Sequence, residues 1–195
     1  MHYPDEPLDL KFDVDLRAYH ALGNFDGRAL TDAPAYTAAD LRLRGNGTLT
    51  GGALWGTFVY KRGLRIGFGA GFFDIKGLGI QHAPLSRDLD FSLGSTWGAQ
   101  LEGFGGYGFD FGRFVPYADL RVGVHFVKAA VDVRSDTLGS LQTINMWRMT
   151  PILSPRLGVK LRLTDWLGLD VSVSASPIGV ERLSVYGGLT FTISQ

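Results

Sequence analysis

Two short patterns in the chain have the residue types of known chemistry. Gly103 to Gly108 reads GFGGYG, a literal G-x-G-x-x-G. A dinucleotide site needs that run at a strand-to-helix turn, where free amides cradle a phosphate. Here it lies inside an alternating stretch with no helix after it, so its glycines serve curvature or close packing. Asn46-Gly47-Thr48 matches a glycosylation acceptor but also falls mid-strand. The histidines, His2, His20, His82 and His125, are too scattered for ligand spacing, and no metal or other cofactor is assigned.

The larger constellation is ionic. Lys11, Arg17, Arg42, Arg44, Arg65, Arg121, Arg148, Arg156, Lys160, Arg162 and Arg182 share a parity with Asp9, Asp13, Asp15, Asp40, Glu102, Asp119 and Asp170. Asp13, Asp15, Arg17, Arg42, Arg44, Glu102, Asp119, Arg121, Arg148, Arg156, Lys160, Arg162 and Asp170 form the candidate network. If enclosed, such charges must pair, because an isolated buried ion costs several kcal/mol. Strand six carries the densest basic row, and the partner expected for Arg156 is an acid of strand one, five or seven: Asp13, Asp15, Asp119 or Asp170.

The elements that must position these charges are strands. From Leu8 to Ala18 the chain reads LDLKFDVDLRA, strictly alternating apolar and charged residues. Successive side chains of a strand point to opposite faces, so one face is apolar and the other ionic. Eight such segments are predicted, near 8–20, 38–60, 64–76, 91–111, 114–133, 143–163, 166–175 and 181–194. Short turns at 61–63, 111–113 and 164–166 alternate with longer loops at 21–37, 77–90, 134–142 and 176–180. This is an up-and-down meander with both termini at the short-turn end. Phe91, Leu93 and Trp97 share an apolar parity in strand four. Pro151 and Pro155 fall inside strand six, where a ladder needs amide donors, and predict a bulge or kink.

Which face is wet follows from where charges break the apolar parity. Asp74, Lys76, Lys128, Asp132 and Glu181 do so, each at the long-loop end of its strand. A bilayer sorts charges this way, since one costs about 2–4 kcal/mol at the midplane and little near the interface. Tyr107, Phe109, Phe111 and Phe114 gather at the other end, as an interfacial girdle would. The leucines therefore face lipid and the charges an enclosed interior. Val122 falls on the lipid parity and Gly123 on the interior one, where serine is expected to be tolerated.

Composition agrees. The 19 basic and 19 acidic residues balance, which argues against a nucleic-acid partner. Cysteine is absent. No apolar run approaches the length of a membrane helix. The opening MHYPDEP does not read as a signal peptide, and the expectation is one mature domain over 1–195.

With this pattern the chain resembles the small eight-stranded outer-membrane barrels of the OmpA/OmpX type. In YGGLTFTISQ, Tyr186, Gly188, Phe191 and Ile193 match the signal that such barrels present to the outer-membrane insertion machinery. The family usually ends on an aromatic residue, whereas Ser194 and Gln195 end this chain. The resemblance implies an all-β, antiparallel, up-and-down transmembrane barrel in a bacterial outer membrane, with periplasmic termini. Its partners would be the bilayer, lipopolysaccharide and the insertion machinery, as a monomer. The expected role is non-enzymatic, structural or surface-interacting, around a salt-bridged interior. Alternatives are a narrow gated pore for small ions and a lipid A-modifying enzyme. The enzyme would need a histidine, a serine and a carboxylate facing lipid, whereas His125 is expected to face inward.

Overall fold

The computed structural model describes residues 10–28, 30–31, 42–60, 63–81, 89–135 and 137–194. Its strands are β1 (Leu10–Arg28), β2 (Leu30–Thr31), β3 (Arg42–Tyr60), β4 (Leu64–Lys76), β5 (Gly79–Gln81), β6 (Leu89–Gly108), β7 (Phe114–Ser135), β8 (Gly139–Arg162), β9 (Leu167–Ala175) and β10 (Glu181–Ser194). The eight long ones form an antiparallel ring, β1-β10-β9-β8-β7-β6-β4-β3, closed by pairing of β3 with β1. The chain is thus an all-β, eight-stranded, up-and-down barrel. Closure gives every long strand a neighbour on both sides, though β8 has β9 beside it only from Arg156 to Arg162, and so removes most of the open edges of a flat sheet. Leu10 lies opposite Tyr60, and Ser194 opposite Lys11, so both described ends sit at the short-turn rim. At the opposite rim β5 pairs with β3, and β2 with β8.

Facing follows the alternation. β4 alternates outward and buried from Leu64 to Lys76 without a break. Leu16, Leu101, Val122, Leu157 and Val171 are each more than half exposed on the outer surface. An apolar outside around a polar inside suits lipid as the solvent.

The strands run further than the sequence pattern indicates, and one cause explains most of the difference. Beyond Tyr19 the inward residues become apolar: Ala21 and Phe25 on β1, Leu43 and Leu49 on β3, Val127 to Val133 on β7, Ile144 and Met146 on β8. At this end the polarity of the two faces is exchanged, as in a water-soluble sheet. Arg42 and Arg44 therefore point outward, away from the ionic interior expected for them. β1 continues to Arg28 although its alternation fades after residue 20. Likewise β7 and β8 stay paired as far as Ser135 opposite Gly139, inside the stretch 134–142 where the sequence pattern predicts a loop. The part of the expected first loop at 32–37 lies outside the described residues, as do Asp9 and Asp40.

Of three register shifts among the described residues, one lies at the tip of β7 and β8, between Val133 and Arg134, and the other two change the expected facing. One, between Leu93 and Thr96, turns Phe91 and Leu93 toward the apolar cluster of β7 and β8 rather than to lipid. The other sets Gly23 opposite Glu181 while Leu22 faces Leu183, so Arg182 is the extra residue. An inserted residue reverses the facing of what lies beyond it. Glu181 is consequently buried and Arg182 exposed, the reverse of the expected arrangement.

The prolines of β8 produce no break: its register with β7 is continuous from Leu161 to Gln142. Pairing of β8 with β9 ends at Arg156, so Pro151 and Pro155 lie where β8 has no β9 neighbour to supply with amides. Above the short β9–β10 hairpin the wall is notched. Side chains and single bonds bridge it: Ser176 Oγ donates to the Leu153 carbonyl (3.0 Å), Asn24 N–H to Val180 (2.8 Å) and Arg148 to Asp26 (3.0 Å). Gly123 sits where β7 crowds β6. A Cβ there would lie 2.2 Å from the Leu101 carbonyl oxygen, so the expected tolerance of serine is not met.

Candidate functional site

The inward residues of the short-turn half form a stack of ion pairs. Nearest the rim, Lys160 on β8 donates to Asp13 on β1 at 2.8 Å, and Thr192 on β10 donates to the same carboxylate at 2.7 Å. Above it, Arg17 bridges Asp15 (2.9 Å) and Asp170 (3.0 Å), and the Tyr117 hydroxyl donates to Asp170 at 2.8 Å. Beside this group Asp119 receives Arg156 at 2.5 Å and lies 3.5 Å from Arg65. A third group centres on Arg121, which reaches Glu102 (2.5 Å) and Glu181 (3.1 Å). Glu181 is further held by Tyr186, Ser174, Ser184 and His125.

Aromatic rings fill the space between these groups. The guanidinium carbons of Arg17 and Arg156 each lie 4.1 Å from the Trp55 ring centre. Arg121 lies 4.9 Å from Tyr186, which stacks on Tyr19. A cation held over a ring keeps attraction that water would otherwise provide. Farther up, Tyr19, Phe73, Ile75, Leu49 and Phe25 close the bore with apolar side chains. An interior of eight strands is just wide enough for such filling.

Of the residues assigned from sequence, Asp13, Asp15, Arg17, Glu102, Asp119, Arg121, Arg156, Lys160 and Asp170 come together in the interior. Arg148 reaches the backbone across the notch, and Arg42 and Arg44 face outward at the far rim, Arg44 toward Gln81. Arg162 lies at the short-turn mouth, paired with Asp110 at 2.8 Å. Partial burial pushes the Asp110 carboxyl up, but hydrogen bonds from Arg162 and the Gly112 amide outweigh it and hold the group below its ordinary 3.8. Sequence reasoning missed Glu181, hidden by its bulge, and Trp55, whose nearest neighbours on the same face of β3, Gly51, Ala53 and Thr57, are small. His125 faces inward as expected, and its partner Glu181, at 3.3 Å, is what the sequence did not name. His125 is 1% exposed, and such a ring has no route to a substrate in lipid. Tyr186 faces inward, Gly188 lies tight against the Leu16 carbonyl, and Phe191 and Ile193 face outward. Among the described residues, no cluster of His, Cys, Asp or Glu has metal-binding geometry.

No protein-family model and no curated relative matches the sequence. Solved structures do match. The Ail attachment invasion locus protein of Yersinia pestis superposes with a TM-score of 0.54 at 12% identity, over 95% of this chain and 99% of that one. A major outer membrane protein from Thermus thermophilus gives 0.56 at 14%, over 94% and 99%. The Neisserial surface protein A gives 0.50 at 16%, over 94% and 97%. The chain has the fold of the small outer-membrane β-barrels.

Proposed function

We propose that this chain is a monomeric outer-membrane barrel with a sealed interior and a non-enzymatic role, structural or in surface contact through its long-loop end. One observation carries the reading: inward of the short-turn mouth the bore is filled, by paired charges in one half and apolar side chains in the other. A filled bore gives ions no continuous path, and neither histidine on the described strands joins a serine and a carboxylate at the lipid face. The termini lie in the periplasm, on the side of the short turns. Tyr186, Gly188, Phe191 and Ile193 engage the insertion machinery, and lipopolysaccharide surrounds the belt toward the long loops.

Single-channel recording of the refolded protein in a planar bilayer tests this. The expected trace is silent for the wild type. Discrete conductance steps from the wild type would overturn the sealed-interior reading and favour the gated pore.

A further inference from the structure

The short-turn mouth is not filled. A cavity of about 390 Å³ opens there, walled by Tyr60, Tyr107, Phe109 and Val115 and carrying Lys11, Arg65 and Arg162. A smaller recess continues inward to Asp13, Lys160 and Thr192. Together they hold four cations, Lys11, Arg65, Lys160 and Arg162, against two carboxylates, Asp13 and Asp110. Both carboxylates are engaged, Asp13 by Lys160 and Asp110 by Arg162, each at 2.8 Å. The surplus falls on Lys11 and Arg65.

Register brings these two together. Lys11 lies opposite Val59, and Val59 opposite Arg65, so the three form one inward row on β1, β3 and β4. Two strand spacings separate the Cα atoms of Lys11 and Arg65 by about 10 Å, with only Val59 between them in the row. Arg65 is 3% exposed, and its Nε has no hydrogen-bond partner. Arg65 Nε lies 3.5 Å from Asp119 Oδ1, while Arg156 takes Oδ2 of the same carboxylate at 2.5 Å, so the two guanidiniums share one acid. Two buried guanidiniums sharing one carboxylate beside a cavity leave positive charge that an anion would balance.

We propose that this vestibule binds a phosphate ester. A guanidinium and an ammonium converging on one space suit an oxyanion with several acceptor oxygens. The cavity exceeds what a bare phosphate needs, and its tyrosine and phenylalanine walls accept the esterified group. The site lies at the end opposite the surface loops and does not depend on whether the bore conducts. Its ligand is either a soluble ester or the headgroup of a lipid in the adjoining leaflet.

The test is calorimetric titration of the refolded barrel in maltoside micelles, which carry no phosphate. One arm adds glycerol 3-phosphate, the other micelles doped with phosphatidylglycerol. Saturable binding is expected in at least one arm, and the arm that binds identifies the source. Lys11→Gln, at the open mouth, should weaken it about tenfold, the loss of one charge-assisted contact. Lys76→Gln, at the far rim, should leave it unchanged. Arg65→Gln should abolish it, and if that variant fails to fold, Lys11→Gln decides alone. Absence of saturable binding in both arms, or equal affinity of wild type and Lys11→Gln, overturns the proposal.

Discussion

Arg156 shows how one residue is held in the bore. It is fully buried, pairs with Asp119 at 2.5 Å and lies over Trp55. Removing one member of a buried pair strands the other and costs about 3–5 kcal/mol. Arg156→Ala should therefore lower the melting temperature markedly. Adding Asp119→Ala should recover part of the loss, although Arg65 then loses its own neighbour. A double-mutant cycle on denaturant melts measures the coupling, and none between Arg156 and Asp119 would mean that water in the bore screens the pair. Asp110 and Arg162 at the mouth make a contrasting case. The Asp110 carboxyl is depressed in the folded state, so its contribution is full above the unfolded value and is lost as pH falls through the folded one. The group is half exposed, and the pair is worth no more than about 1 kcal/mol. Asp110→Asn should melt slightly below wild type at neutral pH and together with it once the wild-type carboxyl is protonated. A gap that persists in acid would assign the effect to the turn rather than the charge.

Among the elements, β7 separates lipid-facing from close-packed positions within two residues. Arg at Val122, 55% exposed on the belt, should block insertion, at a cost of about 2–4 kcal/mol near the midplane. Gly123→Ala should also destabilise, by collision with β6 rather than by polarity. Gly187→Ala, with no atom within 4 Å of its added Cβ, should melt like wild type. Equal tolerance at 122 and 187 in a folding assay would refute the facing. The same strands show what the sequence could reveal. Alternation on β4, β9 and the lower half of β7 is unambiguous because a polar interior and an apolar belt put opposite residue types on the two faces. Parity fails at Glu181 and at Phe91 because a bulge adds a residue without any change in composition. Arg42 and Arg44 escape the pattern for a different reason: their strand alternates correctly, but the polar face there is the outer one. Sequence narrows the partner of Arg156 to four acids, and only the register of β7 against β8 places Asp119 opposite it.

At the scale of the whole molecule, the barrel has two interiors in one tube. The ionic half needs lipid outside it, and the apolar half, walled by outward Arg42, Arg44 and Lys76, suits water outside. The chain thus joins a membrane barrel to a short length of water-soluble sheet with no break in its strands. The wall is also of unequal height. β8 has 24 residues and β9 only 9. Seven residues of β8 pair with β9, whereas 22 residues of β7 pair with β8. In mechanical terms the notch is a stress raiser. A load applied at the tall hairpin reaches its weakest seam between β8 and β9, where few bonds share it. The tube would tear there first, and β7 and β8 would leave the wall still zipped to each other.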